Sequence, residues 1–251
     1  MGSALDYLII AATALLAARI YLSGLRGRYR SLFLFLIFEV LRGCAFAPMA
    51  PAGRAYYWTW ICTEPMEWLL YILVVLEIYA LVLRDYRGLA TAGRWCLMFA
   101  IVVALFAAGA SLLAPSNYTQ QSPLVAYYYY AERAVYFSLV VFLLTILGLL
   151  MRYPIVLNRN IIAHSLIFCA YFLSITIIYQ LLVSNGFRVM PLVRYSMDLL
   201  NLGILGAWLL LLNRAGEKRK QQLRPSWMPG EEEELVGQLN RLNLAMQSLI
   251  S

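Results

Sequence analysis

Apolar residues fall along this chain in seven blocks of about 20 residues, the length that spans roughly 30 Å of hydrocarbon as a helix. The blocks cover 4–22, 31–49, 56–83, 95–114, 123–151, 161–183 and 195–212, with polar residues collected between them. The predicted fold class is all-α, a polytopic seven-transmembrane-helix bundle over 1–214. No basic flank precedes the first apolar run, which predicts a retained helix rather than a cleaved signal peptide. In the fourth block Ala100, Ala104 and Ala108 repeat at four and permit close helix approach.

The basic residues are unevenly shared between the loops. Arg26, Arg28 and Arg30 follow the first block, Arg84, Arg87 and Arg94 the third, and Arg152 and Arg159 the fifth. Arg214, Lys218, Arg219, Lys220 and Arg224 follow the seventh, whereas the other loops hold only Arg54, Arg188 and Arg194. Cytoplasmic loops carry the excess of Lys and Arg, so the N-terminus is expected outside and the C-terminus in the cytoplasm. The same pattern accounts for the net charge of +7 without a nucleic-acid partner. The expected partner is the lipid bilayer. The uncharged connection at 115–122 contains Asn117 in a formal glycosylation triplet, which has no consequence in a bacterium.

Beyond the bundle, 215–230 reads as a basic cytoplasmic linker ending at Pro229 and Gly230. Four acids, Glu231 to Glu234, suit a helix N-terminus. Leu235, Leu239, Leu242, Met246 and Leu249 follow at spacings of 4, 3, 4 and 3, a heptad seam. An amphipathic helix over 231–251 is predicted, lying on the membrane or the bundle, or pairing with a second copy or a membrane-complex partner.

With 63% hydrophobic and 13% charged residues, the composition lies far from that of soluble domains. Cys44, Cys62, Cys96 and Cys169 sit inside apolar blocks without metal-ligand spacing, and packing accounts for them. Cys44 and Cys62 are about equally far from the turn at 51–54, which makes them a candidate bridge.

Against that background the acids inside the blocks carry the chemistry. A carboxylate in hydrocarbon costs about 2.5–3.5 kcal/mol, so it needs protein or water around it. A helical rise of about 1.5 Å per residue puts Glu64 and Glu67 roughly 12–17 Å, and Glu39 and Glu132 roughly 13–15 Å, below the outer surface. Arg42 and Arg133 lie close by in sequence, and Asp198 with Arg194 is shallower. Glu39 and Arg42 share a helix face, as do Glu64 and Glu67. Tyr57, Trp60, Glu64, Glu67 and Tyr71 form one stripe, and Tyr128, Glu132 and Tyr136 another that can face it. Pro65, between two of the acids, frees a carbonyl and tends to kink its helix.

The predicted ligand or ion pocket is therefore Glu39, Arg42, Trp60, Glu64, Glu67, Glu132, Arg133 and Asp198. Three uses are open: an ion-pair lattice that fixes helix register, a pocket facing outward, and a proton relay or channel. Nearer the cytoplasmic face, Glu77 and His164 form a candidate inner polar pair, each roughly 5–9 Å deep.

Several chemistries are excluded by residue type. The only lysines are Lys218 and Lys220, so no lysine within the blocks can form a retinal Schiff base. One histidine cannot ligate a haem from both sides. No phosphate-binding glycine pattern or nucleophile elbow occurs. No Glu-x-x-His pair is present, since residue 161 is Ile. No catalytic residue, cofactor or metal is expected.

The runs YRSLFLFLIFEVLR (29–42), YYWTWICTEPMEWLLYILVVLEIYALV (56–82) and AERAVYFSLVVFLL (131–144) resemble an uncharacterised family of seven-helix integral membrane proteins of acidobacterial-type bacteria. The resemblance covers most of 15–212. It implies a seven-helix fold in a bacterial inner membrane, carries no activity, and does not extend to the helix at 231–251. The expected function is a non-enzymatic membrane protein with an outward-facing polar pocket, a sensor or binding subunit that self-associates through its last helix. The alternative is a proton- or cation-coupled transporter or channel that uses the buried acids.

Overall fold

A segment placed in hydrocarbon has to pair its backbone polar groups internally, which a helix does. The computed structural model describes residues 4–50, 53–84, 86–111, 123–153, 157–218, 220–221 and 231–250. Its long helices are α1 (Ala4–Leu22), α2 (Arg30–Phe46), α3 (Arg54–Val82), α4 (Arg87–Ser111), α5 (Pro123–Arg152), α6 (Arg159–Asn185) and α7 (Met190–Leu211). Two more follow, α8 (Arg214–Lys218) and α9 (Glu231–Ile250). The described residues are otherwise helical apart from β1 (Leu157–Asn158), which pairs antiparallel with β2 (Lys220–Gln221).

Four helices, α1, α3, α5 and α6, are long and apolar enough to cross a membrane. The other three expected spans fall short for visible reasons. α2 has 17 residues and carries Glu39 and Arg42. In α4 the apolar stretch among the described residues is Gly93–Phe106, and the expected block runs on beyond them; α7 is interrupted by Arg194, Asp198 and Asn201.

Neighbours in sequence pack together: α1 on α2, α2 on α3, α4 on α5, α5 on α6 and α6 on α7. α1 also packs on α7, which brings the chain back to its start, and α3 crosses the middle to meet α5 and α6. Between Ile61 and Val82 one face of α3 is buried against other helices, while Met66, Leu69 and Leu73 on the opposite face are exposed. At Gly43 a Cβ would come within 2.6 Å of Ile10, so glycine is what lets α2 approach α1 this closely. The turn after α1 uses Gly24 at φ 72°, a backbone conformation open to glycine.

Pro65 does not interrupt α3. Its missing N–H leaves the Ile61 carbonyl without a helical partner, and the Tyr128 hydroxyl from α5 donates to that carbonyl at 3.0 Å. A helix defect is thus converted into an interhelical bond just above the acids.

The heptad helix α9 lies on α4. Leu235 and Leu239 are buried there, and the Asn243 side chain accepts from the Gly88 and Leu89 amides at 2.8 and 3.4 Å, capping the start of α4. Leu242 stays 42% exposed and Met246 is partly buried. Part of the seam expected to bind a second copy is therefore occupied within the chain. The side chain of Leu249, Asn117 with the connection at 115–122, residues 51 and 52, and Pro229 and Gly230 lie outside the described residues. Part of the segment expected as a linker is ordered as α8 and β2.

Candidate functional site

Arg42 is the centre of the polar layer expected on the outer side. It projects from α2 toward α3, where its guanidinium donates to Glu64 at 2.6 Å and forms an ion pair with Glu67. Glu39, one turn earlier on α2, stands 3.7 Å from the same guanidinium, too far for a hydrogen bond. Glu64 and Glu67 meet one cation because their spacing of three puts them on one face of α3. Both are buried.

Behind them Glu132, 3% exposed on α5, accepts from the Tyr136 hydroxyl at 3.2 Å and lies against Glu64 and Tyr179. The predicted facing stripes meet: Trp60 packs on Tyr128 with ring centroids 5.2 Å apart, and Tyr71 on Tyr136 at 5.7 Å.

Arg133 does not join this layer. Successive helical residues point about 100° apart, so turning Glu132 inward turns Arg133 away. It donates to Gln180 at 2.9 Å and stacks over Tyr130. The four carboxylates are therefore left with one guanidinium.

A cavity of about 490 Å³ opens above this layer between α1, α2, α3 and α7. Its wall includes Glu39, Arg42, Trp60 and Asp198, all from the predicted pocket, with Asp6, Arg194 and Asn201 added. Arg194 reaches across to Asp6 on α1 at 3.5 Å. A smaller chamber of about 80 Å³ lies beside it, and both share Ile9, Thr13, Glu39 and Asn201. The chamber adds Glu67, Phe35, Tyr71, Tyr171 and Trp208. Among the described residues no group of three His, Cys, Asp or Glu can hold a metal ion.

The inner polar residues play a different part, and the expected pairing of Glu77 with His164 is not made. The Glu77 carboxylate accepts from the Ser31 amide at 3.1 Å and from Leu32 at 3.4 Å, so it caps the N-terminus of α2 from a neighbouring helix. His164 is fully buried among the rings of Tyr29, Phe168 and Trp208, at 5.5, 4.9 and 5.9 Å. Neither ring nitrogen has a hydrogen-bond partner. It is a packing residue.

Cys44 and Cys62 are free thiols on exposed faces and do not form the candidate bridge. Cys169 is buried and free, as its apolar setting requires.

Glu217 joins a polar cluster that no sequence motif marks. On α8 it accepts from Tyr29, from Asn158 at 2.9 Å and from Asn160 at 3.2 Å, and it pairs with Arg28 at 3.0 Å. Asn160 also donates to the Asn213 carbonyl at 2.8 Å, and Arg214 donates to the Ser23 carbonyl. These bonds tie the inner ends of α1, α2, α6 and α7 together. Burial first, and then the hydrogen bond to Glu217, hold the Tyr29 phenol well above its ordinary range. A lone acid in a basic stretch was the available signal. Asp6 and Asn201 gave none beyond being polar residues inside apolar blocks.

Comparison with family models, with curated proteins and with solved structures returns no match for this chain.

Proposed function

We propose that the chain is a non-enzymatic membrane protein of the bacterial inner membrane, with seven crossing helices, an outside N-terminus and a cytoplasmic C-terminus. On this reading the cavity between α1, α2, α3 and α7 faces outward and binds a ligand for sensing or delivery to a partner. The observation that carries it is the 490 Å³ cavity whose floor is the Arg42 layer. That volume is in the range of small-molecule sites, and polar groups converge on it from four helices. The basic residues after α1, α3, α5 and α7 support the orientation.

The transport alternative needs a polar route onward to the cytoplasmic end. Next to the Tyr71–Tyr171 hydroxyl contact at 2.7 Å lies a cluster of packed aromatic rings instead. Phe168 packs on Phe172 at 5.3 Å, on Trp208 at 4.8 Å and on His164 at 4.9 Å. This favours a closed-bottomed site over a conduit.

Met197 lines the cavity without joining its ion pairs. In a background with the native cysteines replaced by alanine, Met197→Cys is expected to react with a membrane-impermeant thiol reagent added outside intact cells. Reaction only in inverted vesicles, or in neither, would overturn the reading.

A further inference from the structure

A second cavity lies apart from the Arg42 layer and has the opposite character. It is a groove of about 510 Å³, lined by α4 from Leu89 to Ala100, by α5 from Phe137 to Leu149, and by Tyr79 of α3. The hydroxyls in its wall are already bonded within the protein. Ser138 and Thr145 donate to the Ala134 and Val141 carbonyls of their own helix at 2.9 and 2.8 Å, and Tyr79 donates to the Leu89 carbonyl. A wall of this kind suits hydrocarbon, because a polar guest would give up its water for nothing. The groove opens on an exposed apolar face, with Phe137 and Val141 at its rim and Phe99 and Phe106 also exposed on α4.

Its dimensions say which hydrocarbon. The twelve-residue run from Phe137 to Leu149 is about 18 Å long at the helical rise. Half of a bilayer's hydrocarbon layer is about 15 Å thick, the depth of one acyl chain. At roughly 30 Å³ for each water-sized group, the volume takes on the order of fifteen methylenes. One end of the groove also carries charge. Arg94 follows Gly93 directly and Arg152 stands one turn beyond Leu149, both exposed. Neither is in an ion pair among the described residues. Arginine side chains extend from apolar surroundings to the head-group level, and their planar fork matches a phosphate.

We infer that this groove binds an anionic glycerophospholipid, with one acyl chain between α4 and α5 and the phosphate against Arg94 and Arg152. The site is separate from the cavity between α1, α2, α3 and α7 and does not depend on it. To test it, the full chain is purified in detergent, stripped of lipid, and titrated with dioleoylphosphatidylglycerol or dioleoylphosphatidylcholine. Native mass spectrometry counts the lipid bound. The first phosphatidylglycerol is expected to bind about tenfold more tightly than the first phosphatidylcholine, the scale set by two arginines at a membrane surface. The double variant Arg94→Gln, Arg152→Gln removes that preference. Ala100→Trp fills the groove and weakens the first site for both lipids about tenfold, whereas Leu210→Trp, on an exposed face of α7, leaves it unchanged.

Equal affinity for the two lipids, or a preference that survives the double variant, would overturn the assignment. So would first-site binding untouched by Ala100→Trp, which would place the lipid elsewhere. Masses of two chains without lipid would give the groove to a second copy and overturn it as well. If Ala100→Trp does not fold, the double arginine variant decides alone.

Discussion

The acids at the two ends of this bundle are treated in opposite ways. At the inner end, Glu217 gathers Tyr29, Arg28, Asn158 and Asn160, and Glu77 takes the first amides of α2. Each carboxylate there meets an excess of donors. At the other end three carboxylates, Glu39, Glu64 and Glu67, share Arg42, and Glu39 is left with a 3.7 Å approach. Satisfied polar networks fix structure. Groups left short of partners cost stability, and they persist in sites that have to bind something. The Glu217 layer clamps helix ends together, and on the proposed reading the Arg42 layer is the site.

This contrast is broken most severely at Arg42. Arg42→Ala strips Glu64 and Glu67 of their shared cation and is expected to cost about 3–5 kcal/mol, the usual result of orphaning a buried charge. Loss of a monodisperse peak in size-exclusion chromatography would register it. Glu217→Ala opens the clamp, takes the Glu217 acceptor from Asn158 and Tyr29 and leaves Asn160 only the Asn213 carbonyl, at about 2–3 kcal/mol. A lowered thermal midpoint is the readout, with no change in cavity labelling at Met197→Cys. Glu77→Ala uncaps α2 at about 1–2 kcal/mol, and Glu77→Gln recovers part of that because an amide oxygen still accepts.

A smaller effect appears only in alkali. The Tyr29 phenol is held above its unfolded value of about 10, so below that pH it is protonated in both states and contributes no pH dependence. Above pH 10 the unfolded state binds fewer protons, and stability falls as pH rises. Tyr29→Phe is expected to remove part of that decline, measured as the thermal midpoint from pH 8 to 11.

Much of the frame was legible in the sequence. The third block, 56–83, becomes α3 (Arg54–Val82) with Glu64, Glu67 and Arg42 converging as their spacings required. Periodicity within a helix places residues on faces, and depth follows from rise. Neither says which way a face turns about the axis. Arg133, one residue after Glu132, points about 100° away from it once Glu132 faces inward, and a bond to Gln180 holds it there.

Pairings between distant segments were also out of reach. Asp6 with Arg194, and Tyr29 with Glu217, lie 188 residues apart, and no local pattern announces them. Glu77 was read by its depth as half of a polar pair. Its partners are instead backbone amides of α2, which sequence does not display. The end of the chain illustrates the same limit: the heptad of α9 was visible, but not that Asn243 would dock it on α4.

The most direct test sets Glu39→Gln beside Glu217→Gln, one neutralised acid from each layer, by thermal unfolding in lipid nanodiscs without added ligand. An outer acid kept for binding costs little to neutralise, so Glu39→Gln is expected to unfold at or above the parent midpoint. Glu217→Gln is expected to unfold several degrees below it. A Glu39→Gln protein as destabilised as Glu217→Gln would contradict the account, because the outer acids would then be part of the scaffold like the inner ones.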